Sequence, residues 1–416
     1  MRLFGEPASA PKTYLLGTHR CVTPGETLRR FSPHMRALGI TRLADITGLD
    51  AIGLPVYVAV RPTSRALSTS QGKGFDHGSA KVSALMESIE SWHAEHAELA
   101  LVHDSYRALA RGHAVADPGV LQANAGATPR RDVPYLWARG WDFLNDAWTY
   151  VPFELVTSNF VFPPGYRPTF RIASNGLASG NHPLEAVVHA LCEVIERDAH
   201  TLWSLRAAGE QRASAIDLAT VGDAACREVL ALLERAGVSA RAWDITSDIE
   251  VPAYACQIFE PPGRTRWRTL GPAAGFGCHL SPAVALLRAL TEAVQSRLTM
   301  ISGSRDDLFG RAYDQLGDPD GNQRAWEALS RTEGVVRFGA RAALDGSTFE
   351  GDVEALGARL RRAGMTSAIA VDLSRAELGV PVVKVVIPGL EGHSAGTAYR
   401  AGARAAAAAA RRGWPA

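Results

Sequence analysis

Three stretches of this chain carry one acidic phrase in one register: Ala84-Leu85-Met86-Glu87-Ser88-Ile89-Glu90, Ala190-Leu191-Cys192-Glu193-Val194-Ile195-Glu196 and Ala289-Leu290-Thr291-Glu292-Ala293-Val294-Gln295. Positions three apart share a helix face, so each stretch offers a pair of oxygen-bearing side chains at one level. In the first, Leu85, Ile89 and Trp92 form a core stripe that leaves Glu87 and Glu90 on another face. Leu191, Ile195 and Leu202 do the same beside Glu193 and Glu196. A solvated face would explain any one of these helices. All three keep their oxygen ligands while the residue between them drifts from Ser88 to Val194 to Ala293. That pattern points to one shared site for hard cations and a polyphosphate, and Mg²⁺ suits it because it takes carboxylate and phosphate oxygens together.

A second repeat runs beside the first. A helix end closes at Gly39, followed by Ile40-Thr41, Asp45-Ile46-Thr47 and Leu54-Pro55-Val56-Tyr57-Val58. The same order returns at Gly237, Val238-Ser239, Asp244-Ile245-Thr246 and Val251-Pro252-Ala253-Tyr254, and again at Gly364, Met365-Thr366, Asp372-Leu373-Ser374 and Val380-Pro381-Val382-Val383. Each glycine suits the left-handed position after a helix, and the short β-branched or aromatic runs after each proline read as strands. The unit is helix, strand, turn, strand. Gly-rich turns at Gly72-Lys73-Gly74, at Gly275-Phe276-Gly277 and at Asn175 to Asn181 then lead into the acidic helices. The shared alanines Ala84, Ala190 and Ala289 recur at roughly a hundred residues, a domain-scale period.

With 416 residues, 46% hydrophobic and 21% charged, the chain has the composition of an ordinary globular protein. A net charge of +1 gives no electrostatic case for bulk nucleic-acid or membrane binding. Its five cysteines form no Cys-x-x-Cys pair, which disfavours a disulfide framework and a structural zinc site. No signal peptide or membrane-spanning run is evident, so a cytoplasmic location is expected. Residues 101–135 read as a loop-rich connector, and Ala405 to Ala410 as a C-terminal helix. Gly72-Lys73-Gly74 lacks the spacing of a Walker A loop; it fits a simple turn, or a lysine presented to a phosphate. His77, His93, His96, His182, His189 and His279 are scattered and read as structural.

The chain resembles the YcaO family of ATP-dependent enzymes that activate peptide backbone amides. Ser83, Glu87 and Glu90 match its first acidic motif, although Ser91 stands where the motif closes in arginine. Asn175 and Glu193-Val194-Ile195-Glu196-Arg197 match the second, and Glu292, Gln295 and Arg297 the third. The resemblance implies that Glu87, Glu90, Glu193, Glu196 and Glu292 hold Mg²⁺ and the triphosphate of ATP. Ser83, Asn175, Gln295, Arg197 and Arg297 would complete the nucleotide pocket, with Arg20 and Lys73 turned toward the phosphates. The implied fold is α/β, built from duplicated helix-strand-strand units with mixed sheets and outer helices. An N-terminal unit (1–65), an ATP-binding core (66–310) and a C-terminal unit (311–416) would form one YcaO domain.

Gly17-Thr18-His19-Arg20, Ser70-Gln71-Gly72-Lys73-Gly74, Ser302-Gly303-Ser304-Arg305-Asp306-Asp307 and Pro388-Gly389-Leu390-Glu391 are similar to the branch encoded beside a TfuA protein. That likeness implies thioamide formation on a peptide, with a sulfur donor, a TfuA-like partner and a homodimer as further expectations. Azoline-forming relatives often end in Pro-x-Pro-x-Pro, whereas this sequence ends Gly413-Trp414-Pro415-Ala416, so ring formation loses ground. A nucleotide-binding accessory protein without catalysis is the alternative of another class. No peptide-clamp domain is evident at the N-terminus, so a partner is expected to deliver the substrate.

Overall fold

Gly39, Gly237 and Gly364 each take a left-handed backbone, with φ of +71°, +66° and +86°. Beyond each, an N–H reaches five residues back: Ile40 to Met35 at 2.8 Å, Val238 to Leu233 at 2.9 Å and Met365 to Leu360 at 2.9 Å. This is the Schellman closure of a helical segment, and glycine adopts it without a Cβ penalty. After each closure the chain enters a strand.

The computed structural model describes residues 1–262, 270–308, 310, 313–314, 317–392 and 400–410. In chain order, β1 (Arg42–Asp45), β2 (Val56–Val60) and β3 (Thr69–Lys73) precede α1 (His77–Glu95). β4 (Leu177–Ser179) precedes α2 (Pro183–Ser204). β5 (Ser239–Asp244), β6 (Ala253–Phe259) and β7 (Ala273–Cys278) precede α3 (Pro282–Ser302). β8 (Ile369–Asp372) and β9 (Val382–Val386) come last.

These strands form three antiparallel sets, β1-β2-β3, β5-β6-β7 and β8-β9-β4. The third unit is therefore split: its first two strands lie near the C-terminal end, and its last strand and acidic helix lie in mid-chain. The turns between first and second strands are built alike. Asp45, Asp244 and Asp372 each accept the N–H two residues on, at 2.9 Å. Thr47, Thr246 and Ser374 each accept the N–H of Val56, Ala253 and Val382 at 3.1 Å. A short hydroxyl after an Asx turn thus fixes strand register three times over.

The glycines before the acidic helices are strand residues as well as turn residues. Gly74, His279 and Gly180 donate to Pro55, Pro252 and Pro381, which puts Gly72, Gly277 and Ala178 at one register. This shifts the sequence match of Gly72-Lys73-Gly74 with Gly275-Phe276-Gly277 by two residues. A Cβ at Gly72 would overlap the backbone of Ala80 and Ala84, and one at Gly277 the backbone of Ala285 and Ala289. Glycine here lets helix and strand backbones touch. Because side chains alternate along a strand, Lys73 then points away from α1.

Each acidic helix also packs on the last strand of another unit: α1 on β4, α2 on β7 and α3 on β3. The three contacts close a ring. Separate apolar clusters support it, around Leu85 and Ile89, around Leu191 and Ile195, and around Leu290 and Val294. Trp92, expected in the first stripe, is only partly buried, as is Leu202 in the second.

The connector expected to be loop-rich contains strands Val102–Ser105 and Ala114–Val115 and a helical turn at Tyr106–Leu109. Its strands join a sheet with Pro134–Asp142 and Ala147–Pro152 that extends from β8, and the parallel pairing of Ala114–Val115 with Ala147–Pro152 makes that sheet mixed. The alanine run forms a helix at Ala403–Ala410, while Gly413 to Ala416 lie outside the described residues. Among the described residues no helix is long and apolar enough to cross a membrane.

Candidate active site

Closing the ring leaves a central cleft of about 850 Å³, lined by all three acidic helices. Ser83, Glu87 and Glu90 enter it from α1, Glu193, Glu196 and Arg197 from α2, and Glu292 and Gln295 from α3. Lys73 enters from the end of β3 and Arg20 from an N-terminal hairpin. The ring contacts run through these residues. Lys73 Nζ lies 2.8 Å from Glu292 Oε2, tying β3 to α3. Ser179 donates its N–H and hydroxyl to Glu90 Oε1 at 2.8 and 2.6 Å, tying β4 to α1. At the same strand position in β7, Cys278 meets Cys192 of α2. Gln295 donates to Gln71 O at 3.2 Å.

Two expected nucleotide residues lie elsewhere. Arg297 is buried behind α3, 3.4 Å from Asp50 and 3.3 Å from Glu260. At about 100° per residue it sits some 140° round the helix from Glu292, so it cannot share that face. Asn175 borders a separate small cavity with Lys384, and its Oδ1 is buried without a hydrogen-bond partner.

The electrostatics follow from crowding. Burial pushes the Glu87 carboxyl up to about 7 against the pull of Lys73 and Arg305. Glu87 nevertheless keeps an exposed edge, so its rise reflects only a partial loss of hydration. Glu90 is pushed to about 8, by burial first and then by the charges of Glu87 and Glu193, although Ser179 opposes this. Burial also takes Glu196 to about 7, opposed by Arg197 and reinforced by Glu292, and raises Glu193. Glu292 differs: burial would raise it, but Lys73, Arg197 and Arg288 together hold it low. His189 in the same cleft is driven well down by burial and by neighbouring cations, so it stays neutral.

Carboxyls held near neutrality by burial and mutual repulsion form a donor set short of positive charge, which a divalent cation would complete. Among the described residues no three His, Cys, Asp or Glu side chains stand close enough to hold a metal by themselves. That spread fits Mg²⁺ bound through one or two carboxylates together with phosphate oxygens and water, rather than a preformed protein cage. Arg288 supplies a second sign of fit. It lines the cleft, and its Nε is buried without a hydrogen-bond partner, a donor of the kind that a bound anion satisfies.

Arg288 was not singled out from the sequence, although it lies four residues before Glu292 and so on its face. Arg305 also enters the cleft, braced by Asp307 at 2.8 and 2.6 Å. Its loop is docked on β3 by Asp306, which accepts from Ser68 N–H and hydroxyl at 2.8 and 2.9 Å. Glu185, in the first turn of α2, accepts the Cys21 N–H at 2.8 Å and lies 3.6 Å from Arg20, seating the hairpin. Such long-range contacts leave no local pattern.

A relative encoded in the tfuA 3′ region of Rhizobium leguminosarum bv. trifolii is 37% identical over 396 residues, covering 93% of this chain and 92% of its own. A protein of Methanothermobacter thermautotrophicus is 33% identical over 380 residues, covering 89% and 95%. Among solved structures, YcaO from Methanopyrus kandleri bound with AMPPCP and Mg²⁺ superposes with a TM-score of 0.73 at 25% identity, covering 92% of this chain and 95% of its own. A heterocyclase in complex with substrate and cofactor gives 0.76 at 22% identity, a likeness of fold, and this chain spans 54% of its length. Residues 71–391 match the family described as YcaO cyclodehydratase, ATP- and Mg²⁺-binding; with the acidic ring around its cleft, the chain belongs to the YcaO family.

Proposed function

We propose that the protein exchanges the oxygen of a peptide backbone amide for sulfide sulfur, making that oxygen a leaving group by phosphate transfer from ATP. The observation that carries this reading is the convergence of three acidic helices, interleaved with Lys73, Arg197, Arg288 and Arg305, on one cleft. An amide carbonyl is a poor electrophile and its oxygen a poor leaving group. In the reading, hydrosulfide adds to the carbonyl carbon, and the resulting oxyanion attacks the γ-phosphorus of ATP and releases ADP. The C–O bond then breaks with loss of phosphate, and the sulfur loses its proton as C=S forms.

Phosphoryl transfer depends chiefly on positioning and charge neutralisation. Lys73, Arg288 and Arg305 would hold the phosphates, and Glu87, Glu90, Glu193, Glu196 and Glu292 would supply the carboxylates for Mg²⁺, one or two to each ion beside phosphate oxygens and water, with Gln295, Ser83 and Arg20 around the nucleotide. Bound Mg²⁺ would neutralise charge on the transferring phosphoryl group. Asn175 and Arg297 would act through the packing of β4 and α3. No Ser-His-Asp set is needed, in keeping with a neutral, half-buried His189.

Sulfur insertion is favoured by the relative from the tfuA region, which matches almost the full chain; a TfuA-like protein and a sulfur donor would be its partners. Azoline formation is the second reading, favoured by the family's description as cyclodehydratases. Incubation with ATP, Mg²⁺, sulfide, a TfuA-like protein and a candidate peptide, followed by weighing the peptide, separates them. Sulfur-for-oxygen exchange adds about 16 Da, whereas ring closure at a Cys, Ser or Thr removes about 18 Da, both requiring the amide to be positioned against its nucleophile. A gain that depends on sulfide is expected; a sulfide-independent loss would establish the second reading instead.

A further inference from the structure

The floor of the cleft is charged, but its mouth is apolar. Leu16, in the hairpin closed by Tyr14 and Arg20, and Phe160, beyond strand Ala147–Pro152, both line the cleft while 56% and 49% exposed. Phe160 begins a row. Its ring centroid lies 6.2 Å from that of Phe162, which lies 5.5 Å from that of Tyr166. Phe162 and Tyr166 are themselves 36% and 41% exposed. Scattered apolar residues on a surface need no explanation, whereas a contiguous set leading out of a cleft marks an interaction site.

The row is pre-shaped. Phe160 N–H donates to Arg65 O at 3.1 Å and Val161 N–H to Asn159 Oδ1 at 2.9 Å. The Tyr166 hydroxyl donates to one oxygen of Glu154, whose other oxygen accepts the Phe170 N–H at 2.6 Å. Pro163 and Pro164 restrict the backbone between the rings. With the backbone pinned and the Tyr166 ring tied to Glu154, this segment loses little freedom on binding.

Side chains two apart on an extended chain are separated by about 6.6 Å, close to the 6.2 Å between the Phe160 and Phe162 rings, and residues 160–166 carry no charge. We infer that this aromatic row docks the peptide substrate: an extended segment beside the reacting amide, with apolar side chains at alternate positions. The row is continuous with the cleft through Phe160, so a bound segment would deliver its neighbouring amide to the acidic floor. This inference rests on the reading that the cleft acts on a peptide amide.

The test uses full-length protein and fluorescein-labelled octapeptides: one alternating Leu with Ser, an isomer with its leucines grouped, and one alternating Glu with Ser. Binding is read by anisotropy with and without Mg²⁺-AMPPCP, and nucleotide affinity is measured in the same samples. The alternating Leu peptide should bind best, and Phe160→Ser with Phe162→Ser should weaken it roughly tenfold, as loss of two aromatic anchors does. Unchanged affinity in the double variant, or no preference for alternation, overturns the inference while leaving the nucleotide reading intact. Failure of the wild type to bind nucleotide counts against that reading and not against the row.

A benzoylphenylalanine placed in the Leu peptide gives a readout on the unmutated protein. Adducts within residues 158–166 support docking there, and adducts confined to other segments refute it. A wild-type dimer that Phe162→Ser converts to monomer would make the row a contact between copies, which also overturns it.

Discussion

Glu87 and Glu196 come from different helices and different units, yet both enter one cleft and both are pushed up to about 7. Replacing either by glutamine keeps its volume and removes the negative charge that would hold Mg²⁺ against the phosphates. Glu87→Gln and Glu196→Gln should each lower ATP turnover by roughly a hundredfold or more, with thermal stability unchanged or slightly raised. Turnover near wild type in both would remove these carboxylates from the chemistry. Glu196, together with Glu90 in the same cleft, predicts a pH dependence. Glu90 and Glu196 have folded-state values of about 8 and about 7, above an unfolded glutamate's ~4.3. Their contribution to stability is complete below the unfolded value and is lost as pH rises through the folded one. Melting of the metal-free protein should therefore weaken between about pH 5 and pH 8, and Mg²⁺-AMPPCP should oppose the loss. Mg²⁺ affinity should rise over the same interval as the carboxyls ionise. A flat melting profile without metal would contradict the crowded-carboxyl account.

The strand-to-helix joint imposes the tightest constraint among the elements. At Gly72 and Gly277 any Cβ meets helix backbone, which cannot rotate aside as a side chain could. Gly72→Ala and Gly277→Ala should each cost about 3 kcal/mol, the upper part of the range for overpacking, read as a shift in denaturant midpoint. Gly53→Ala is the control, since no atom lies within 4 Å of a Cβ there and only its positive φ is strained; it should cost about 1 kcal/mol. Equal costs at all three would rule out the close joint. Much of this architecture was legible: Gly39, Gly237 and Gly364 announced three helix ends, and Asp-x-Thr/Ser announced three identical turns. The joints were not. A Gly-x-Gly phrase reads equally as turn or strand, and only the bonds from Gly74, His279 and Gly180 to their prolines set the register. Arg297 shows the reverse case: it matches the third motif, and helix geometry turns it away from the cleft toward Asp50 and Glu260. Arg288 belongs to no motif, and only its place four residues before Glu292 marks it.

Across the whole molecule the ring makes one site out of three units, so a ligand at the centre should be felt in all of them. At a concentration of one hundred times its dissociation constant, Mg²⁺-AMPPCP should add about 2.7 kcal/mol of stability. Amide hydrogen exchange should then slow in β3, β4 and β7 together, because each packs against an acidic helix of another unit. Protection confined to one strand would mean that the ligand sits inside a single unit. The split third unit does not follow from sequence order, since β8 and β9 join β4 across almost half of the chain; the three acidic phrases nonetheless mark three units.

The claim that joins these scales is that the cleft phosphorylates an amide oxygen. A peptide labelled with ¹⁸O at the target backbone carbonyl tests it directly, in the presence of ATP, Mg²⁺, sulfide and a TfuA-like protein. The account predicts that the label leaves the peptide and appears in the inorganic phosphate released, one labelled phosphate for each amide converted. Label retained in the peptide, or recovered in water while the phosphate stays unlabelled, would contradict it.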